Sequence, residues 1–562
     1  MKRTPRSAPN TPRGKTGTRR LITAVAVIVA ALIAPLTLAA SASAVTTGNG
    51  ALVYSPAAGT SFNPEGGKAA GTTYAKMIVL KNSGTSNGTQ IVTFDQLVLE
   101  NGVQVYPIYR STDNGASWSR IAAIKPSTQF SALTRTAQPS LYETPVQLGT
   151  MPAGTLLLSG MIMPADRSSS RLVMYKSLDH GVTWSFVSTV DTGGPATYDP
   201  SPTSTTSTVW EPSLAVDANG GLVTYFSDER QKANNVLQAV SYRRSTDGGL
   251  TWGAEVNVSA PTNKSDRPGM ITVTRLPNGN YIATFEVVNR PSQSNNTAPV
   301  YYKISPDGLT WSPASSIGTQ ITLPNGRSIG SSPEVRWIPT AGNANGMIVV
   351  SSKWGLTSAG AIDGGQNFVV NRNQGSGSWE QLPYAVTYDA ADTQGGTFAG
   401  FAQSFDSSAD GKTLYQATNV ENLTTTYNDV RVGSIPINAT AYEAESASLT
   451  DTSLVSQGDA VGGVKVGNIN NADSSVRFTV TAATAGTYTM NVRYDNGNGS
   501  TSTHNVSVNG GANTALSYPV TPNWGRFAWA QRTVTLTAGS NTITFTKGTG
   551  FAELDQIQIY QP

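Results

Sequence analysis

One eight-residue pattern recurs through the first four hundred residues and limits the fold more than any other feature. Ser111-Thr112-Asp113-Asn114-Gly115-Ala116-Ser117-Trp118 returns as Ser177 to Trp184 and as Ser245 to Trp252. A shortened copy runs from Ser305 to Trp311, and a worn one from Gly375 to Trp379. The tryptophans stand 66, 68, 59 and 68 residues apart. A fixed period of this length marks a repeat architecture. Within the pattern, Asp and Gly make a hairpin turn, Ser and Thr hydroxyls satisfy its backbone, and Trp pins the turn to the sheet. This is the Asp-box, a structural device to which no chemistry is assigned.

A second repeat runs out of phase with the first. Each unit has a polar opening, an apolar strand, a Gly turn and another apolar strand. Examples are Trp210-Glu211-Pro212 with Leu222 to Phe226, and Asp266-Arg267-Pro268 with Tyr281 to Phe285. Six such units fit between about residues 48 and 435. Radial repetition of four-stranded units makes a β-propeller, here six-bladed. From residue 437 the Asp-box disappears. Short alternating segments such as Ser475 to Val480, Tyr488 to Tyr494 and Asn541 to Phe545 read as a β-sandwich of jelly-roll type. With 55 Gly, 31 Pro and only 13% charged residues, the composition also favours strands and turns over helices. The fold class is therefore all-β, with a propeller over 45–436 and a sandwich over 437–562.

Residues 1–44 have another character. Seven basic residues and no acids precede the apolar run Leu21 to Ala34, and Ser41-Ala42-Ser43-Ala44 supplies an Ala-x-Ala site. This reads as a secretory signal peptide, too short to span a membrane and ended by Pro35. Removing its seven basic residues from the 38 leaves 31 against 35 acids, a net of about −4. No basic stripe remains for nucleic acid, and no membrane partner is expected. The expected localisation is extracellular, the partner a neutral glycan and the chain a monomer.

The absence of cysteine excludes disulfides, thiolate metal sites and a thiol nucleophile. Two histidines, His180 and His504, leave little for a multi-His metal site or a Ser-His-Asp triad. Carboxylates, tyrosines and arginines must carry any chemistry. Equivalent positions of a propeller converge on its axis. Read round the ring, the inner-strand starts give Lys76, Glu143, Glu211, Asp266 with Arg267, Glu334 with Arg336, and Gln403. The hairpin ends add Asp95, Asp228-Glu229-Arg230, Glu286 and Trp354. Two carboxylates across a cleft are what glycosidic cleavage needs. Glu211 lies in a rigid Trp-Glu-Pro frame, and Glu286 ends a strongly apolar strand, where burial raises a carboxyl pKa and suits a general acid.

The segments Trp210-Glu211-Pro212, Tyr225 to Arg230, Ser265 to Met270, and Leu276 through Phe285-Glu286 resemble glycoside hydrolase family 93 in order and spacing. The resemblance covers most of the propeller. It implies a six-bladed, sialidase-like fold and a retaining exo-α-1,5-L-arabinanase that releases arabinobiose from the non-reducing end of linear arabinan. It places the catalytic pair on Glu211 and Glu286, one as nucleophile and one as acid/base, with Glu211 favoured as the nucleophile and the order of the roles left open, and with no cofactor for catalysis. Glu143, Asp228, Arg230, Asp266, Arg267, Glu334, Arg336 and Trp354 are the candidate substrate contacts. The partner implied is plant cell-wall polysaccharide, the arabinan side chains of pectin.

The C-terminal segment resembles carbohydrate-binding module family 35, or the related family 6, through Tyr442-Glu443-Ala444-Glu445, Ala485 to Tyr488, Val492-Arg493-Tyr494, Trp524 and Leu554-Asp555-Gln556-Ile557. That resemblance implies a structural calcium on Glu443, Glu445 and Asp555, whose hard oxygens suit the ion. Trp524 and Trp529 are the expected sugar-stacking aromatics. Two alternative functions stand beside this reading. An exo-α-sialidase needs a Tyr nucleophile, for which Tyr384, Tyr388, Tyr415 and Tyr427 are available, and three arginines, for which Arg267 and Arg336 are available. A non-catalytic glycan-binding propeller needs neither glutamate.

Overall fold

The computed structural model describes residues 49–57, 71–289, 297–390, 398–425 and 427–561. The signal-peptide segment lies outside the described residues. Among those described, regular structure is strand, with only short 3-10 turns. Six four-stranded antiparallel sheets follow one another as blades. Their innermost strands are Thr72–Val79, Arg135–Glu143, Val209–Val216, Arg267–Arg275, Glu334–Thr340 and Ser404–Ser407. Each inner strand packs against the next, and the last against the first, which closes the ring. The closing sheet is assembled from both ends of the propeller segment. Ala51–Tyr54 is the outer strand of blade 6 and pairs with Asn428–Pro436. A ring zipped shut in this way leaves no open edge at the seam.

The Asp-boxes sit on the turns between third and fourth strands. In blade 1, Ser111 Oγ donates to Asp113 Oδ1 at 2.7 Å and accepts the Gly115 N–H at 2.9 Å. Trp118 Nε1 donates to Gly115 O at 3.1 Å, folding the indole onto the turn. Hydrogen bonds from Ser117 and Ser111 hold the Asp113 carboxyl down at about 2, so the turn keeps its anion at any physiological pH. In the worn copy Asn371 takes over, its amide donating to Ser376 O and Ser378 O and its oxygen accepting from Gly375 N–H.

Four inner strands carry a register shift at the same place, between Thr73 and Lys76, Ala137 and Ser140, Trp210 and Ser213, and Gly269 and Thr272. The residues in these bulges have left-handed backbones: Tyr74 (φ 50), Gln138 (φ 56), Glu211 (φ 57) and Met270 (φ 55). Ser332 (φ 47) and Ala402 (φ 55) hold the corresponding places in blades 5 and 6. Non-glycine residues with positive φ are uncommon and bulges re-aim side chains, so six together define a constructed ring. That ring presents residues around the axis at this end; of the series expected from sequence Glu211 belongs to it, Lys76, Glu334 and Arg336 line the same cleft, and Glu143 and Gln403 do not.

The last propeller strand ends at Pro436 and the first sandwich strand, Thr440–Glu443, follows directly. One sheet has six strands and the other five, with neighbours far apart in sequence, as in a jelly roll. The alternation expected for Ser475–Ala482 is seen as regular burial of every second residue. The module packs against blades 5 and 6 through buried groups. Arg493, wholly buried, pairs with Asp555 at 2.6 Å and donates to Gln366 O at 3.1 Å and Asn367 Oδ1 at 3.3 Å.

Candidate active site and module sites

The bulge ring brings the two glutamates together. In blade 3 the left-handed turn at Glu211 lifts its side chain out of the strand ladder and over the cleft mouth. Glu211 Oε1 accepts the Tyr74 hydroxyl at 3.2 Å. Its Oε2 accepts the Ser227 hydroxyl at 2.9 Å and the Met270 N–H at 3.2 Å. Gln138 ties the ring: its Oε1 accepts the Glu211 N–H at 2.9 Å, and its Nε2 donates to the Tyr74 oxygen at 3.3 Å. Glu286, near the end of the second strand of blade 4, is buried at 7% exposure and accepts the Ser332 N–H at 2.7 Å.

The two carboxyls differ in environment. Burial, then the negative charge of Glu211, push Glu286 up to about 7. Burial also raises Glu211, but the Arg267 charge and its three hydrogen-bond donors oppose that shift. Such donors favour the ionised form. Both carboxyls are raised by burial, Glu286 to about 7, and Glu211 has the more hydrogen-bond donors favouring its ionised form, a pairing of unlike carboxyls of the kind glycosidic cleavage uses. Arg267 stands behind the pair, 5% exposed, ion-paired to Glu229 at 2.6 Å and stacked over Tyr198 at 4.9 Å.

The cleft, about 770 Å³ with the space open to solvent included, runs down the axis from Tyr74, Gln138, Glu211 and Met270 to Glu334 and Arg336. Of the expected substrate contacts, Glu334 and Arg336 line it, but deep in the channel and committed to each other. Lys76 binds Glu334 at 2.6 Å, Arg336 binds Glu334 at 3.0 Å and Asp406 at 3.6 Å, and Lys81 binds Asp406 at 2.6 Å. This network pairs both acids of the lower channel with three cations.

Five of the expected substrate contacts are corrected. Glu143 ends a nine-residue inner strand, so it sits at the opposite end of the blade from Glu211. There it accepts the N–H groups of Lys81 at 2.7 Å and Asn82 at 2.9 Å. Asp228 and Arg230 bind each other at 2.7 Å, and Arg230 also binds Asp191 on the outer strand of blade 2 and Glu255 just before the outer strand of blade 3, away from the cleft lining. Asp266 is buried and accepts Asn263 Nδ2 at 3.0 Å. Trp354 is buried with Leu356 and Phe398, its indole donating to Thr297 O at 2.8 Å. Sequence reasoning missed Tyr74, Gln138, Ser227 and Ser332. A legible trace of the ring does exist in Gln138-Pro139, Glu211-Pro212 and Ser332-Pro333, because proline inside a strand marks a bulge.

The arginines named for a sialidase clamp are both engaged, Arg267 with Glu229 and Arg336 with Glu334. Tyr384 and Tyr388 are wholly buried and bonded to Ser352 O, and Tyr415 packs in the wall between blades 6 and 1.

In the module, Trp524 is 44% exposed, as a stacking platform requires. Trp529 is not available for sugar. It is 2% exposed, packs in the core of blades 5 and 6, and donates to Tyr384 O at 3.2 Å. Its strand lies against the propeller, so the interface claims the side chain. Among the described residues no three His, Cys, Asp or Glu side chains form a metal cage. Asp555 gives one oxygen to Arg493 and the other to the Val461 N–H. Glu443 and Glu445, however, each keep a buried Oε2 without a partner. Burial and the charges of Asp555 and Glu445 push Glu443 up to about 9. Uncompensated acid oxygens of this kind fit a hard divalent cation.

Comparison with known proteins agrees with this geometry. The family model for a BNR repeat-like domain matches residues 76–327, and that for carbohydrate binding module (family 35) matches residues 440–561. The structure is similar to an α-L-arabinanase of Penicillium chrysogenum complexed with arabinobiose, at TM-score 0.57 and 29% identity, over 70% of this chain and 98% of that one. It is equally similar to the GH93 α-L-arabinofuranosidase of Fusarium graminearum with arabinobiose, at TM-score 0.55 and 28% identity, with the same coverage. The chain joins a family 93-like propeller to a family 35-like module. Matches among characterised proteins are partial. A 1,6-α-glucosyltransferase of Sporosarcina globispora is 32% identical over 131 residues, 23% of this chain and 10% of that protein. An exo-β-D-glucosaminidase of Amycolatopsis orientalis is 35% identical over 133 residues, 23% and 13% respectively. The chain thus spans about a tenth of the length of these relatives. The paired glutamates and the similar hydrolases together support glycosidase chemistry on a polysaccharide.

Proposed function

We propose that this protein is a secreted, retaining exo-α-1,5-L-arabinanase that releases arabinobiose from the non-reducing end of linear arabinan. The observation that carries the reading is the Glu211–Glu286 pair, Glu211 lining the cleft under three hydrogen-bond donors and Glu286 buried beside it and raised to about 7. In the first step Glu211 attacks the anomeric carbon and a C–O bond forms to the enzyme. The glycosidic C–O bond breaks, and Glu286 gives its proton to the departing oxygen. In the second step Glu286 takes a proton from water, the hydroxide attacks the same carbon, and Glu211 leaves as carboxylate. Retention needs the carboxyls about 5–5.5 Å apart. Tyr74, Ser227 and the Met270 N–H orient Glu211 for both displacements.

The test is the product. Mature protein incubated with linear α-1,5-arabinan is expected to yield arabinobiose as the sole early small sugar. Free arabinose, or a ladder of oligomers, would discard disaccharide release, and no product would discard the arabinan reading.

In the same reading Glu443 and Glu445, with Asp555 beside them, hold a structural calcium, which supplies charge compensation where the acids otherwise repel. A ligand that binds only the folded state raises its stability by mass action. Added calcium should therefore raise the module's unfolding midpoint by several degrees, and Glu443→Gln with Glu445→Gln should abolish the shift. A midpoint indifferent to calcium and to chelator would remove the ion from the account.

A further inference from the structure

The module loops 457–463 and 523–527 rest on the end of the propeller that holds Glu211 and Glu286. In blade 5 the connection between second and third strands reaches them. Arg327 binds Asp363 at 2.5 Å and Gly458 O at 3.1 Å, and Gln366 Nε2 donates to Gly525 O at 3.2 Å. Gly364 and Gly458 permit the contact, since a Cβ on Gly364 would stand 2.5 Å from the Gly458 carbonyl carbon. In blade 6, Arg526 pairs with Glu421 at the end of the second strand and donates to Thr387 O at 3.3 Å. Only three residues, 437–439, separate the last propeller strand from the first module strand. The module is a fixed part of the rim and not a tethered one.

Trp524 stands on this rim, one residue before the Gly525 carbonyl that Gln366 holds. Gly497 lies under it, close enough that a Cβ there would meet the indole at 2.8 Å, and the Lys465 ammonium sits 5.7 Å from the ring centroid. Lys465 is itself ion-paired to both Asp495 and Glu553, so its ammonium is already engaged. Exposed Asn498 and Asn523 flank it with amides. An aromatic face with neutral hydrogen-bonding groups beside it suits an uncharged sugar ring.

We propose that Trp524 is a distal subsite of the catalytic cleft itself. While the non-reducing end of an arabinan chain occupies the Glu211–Glu286 site, sugars further along the same chain cross the rim of blades 5 and 6 and stack on Trp524. This rests on the arabinanase reading above. Because the buried interface fixes the platform relative to the cleft, the second contact is made at high effective concentration with little further ordering cost.

Kinetics on two substrates test it. In the full chain, Trp524→Ala should raise KM for soluble linear arabinan several-fold, up to about tenfold, with kcat unchanged. For arabinotriose, too short to leave the cleft, both parameters should stay at the wild-type values. Trp524→Tyr should recover most of the polymer affinity. Equal polymer KM in Trp524→Ala and wild type would overturn the proposal, even if the variant lost binding to insoluble cell wall. So would an equal rise in KM on arabinotriose. Wild-type protein that turns over neither substrate would instead fail the arabinanase reading, and this inference with it.

Discussion

Glu286→Gln is expected to lower kcat on linear arabinan by about 10²–10⁴-fold, the usual contribution of a general acid, with the unfolding midpoint kept within a few degrees. The wild-type kcat/KM should fall as pH rises through about 7, because Glu286 must hold its proton to protonate the departing oxygen. The shift has a definite cause. Glu286 is buried, and Glu211 beside it is negative. Glu211→Gln should therefore abolish turnover and, in the same protein, move the Glu286 titration to lower pH, which carboxyl-labelled NMR can read. The stability sign follows from linkage. A carboxyl raised in the folded state binds more protons there than in the unfolded chain, so stability declines as pH rises from about 4.5 to about 7. Glu286→Gln should remove that decline. Near-wild-type kcat, or an unmoved alkaline limb, would show that Glu286 is not the acid. An equal collapse of folding would show that the pair is structural.

Arg493→Met should be the most destabilising single change in the module. Its guanidinium and the Asp555 carboxylate are both fully buried, and it also reaches Asp459 O within the module and Gln366 O and Asn367 on the propeller side. Removing one partner of a buried pair leaves the other uncompensated, at a cost of about 3–5 kcal/mol. Here the orphan would be Asp555, beside Glu443. Two folded bodies share the interface, so the readout is the set of calorimetric transitions and not a single unfolding free energy. The module transition should drop by many degrees, and Asp555→Asn in the same chain should recover much of the loss. Arg477→Met, on the exposed face of a module strand, should change little. A single variant as stable as wild type would mean that Arg493 does not hold the interface.

Reading the chain without its structure went far where the physics is local. The Asp-box carries its own turn, hydroxyls and tryptophan, so its spacing marks five blades, and the second repeat adds the sixth. Alternation along Ser475–Ala482 needs only period two. Glu211 and Glu286 stood out through a rigid frame and an apolar strand. Reading failed where a residue's direction depends on distant neighbours. Glu143 lies five residues past the ring position that Gln138 holds, and no periodicity reveals a bulge that resets the register. Asp228 and Arg230 are charged and near the right strand end, but Asp191 and Glu255 from other strands claim them. Trp529 reads as a loop aromatic until a second domain covers it.

Sequence by itself therefore determined the repeat, the blade number, the sandwich and the chemical type of the paired carboxyls, because each rests on contacts within a few residues or on alternation along one strand. Tertiary structure alone decided which side chains face the axis, how Ala51–Tyr54 closes the ring, and where the module sits. These depend on groups hundreds of residues apart, such as Lys76 with Glu334 or Arg493 with Asn367, and a one-residue bulge is enough to turn a side chain from one face to the other.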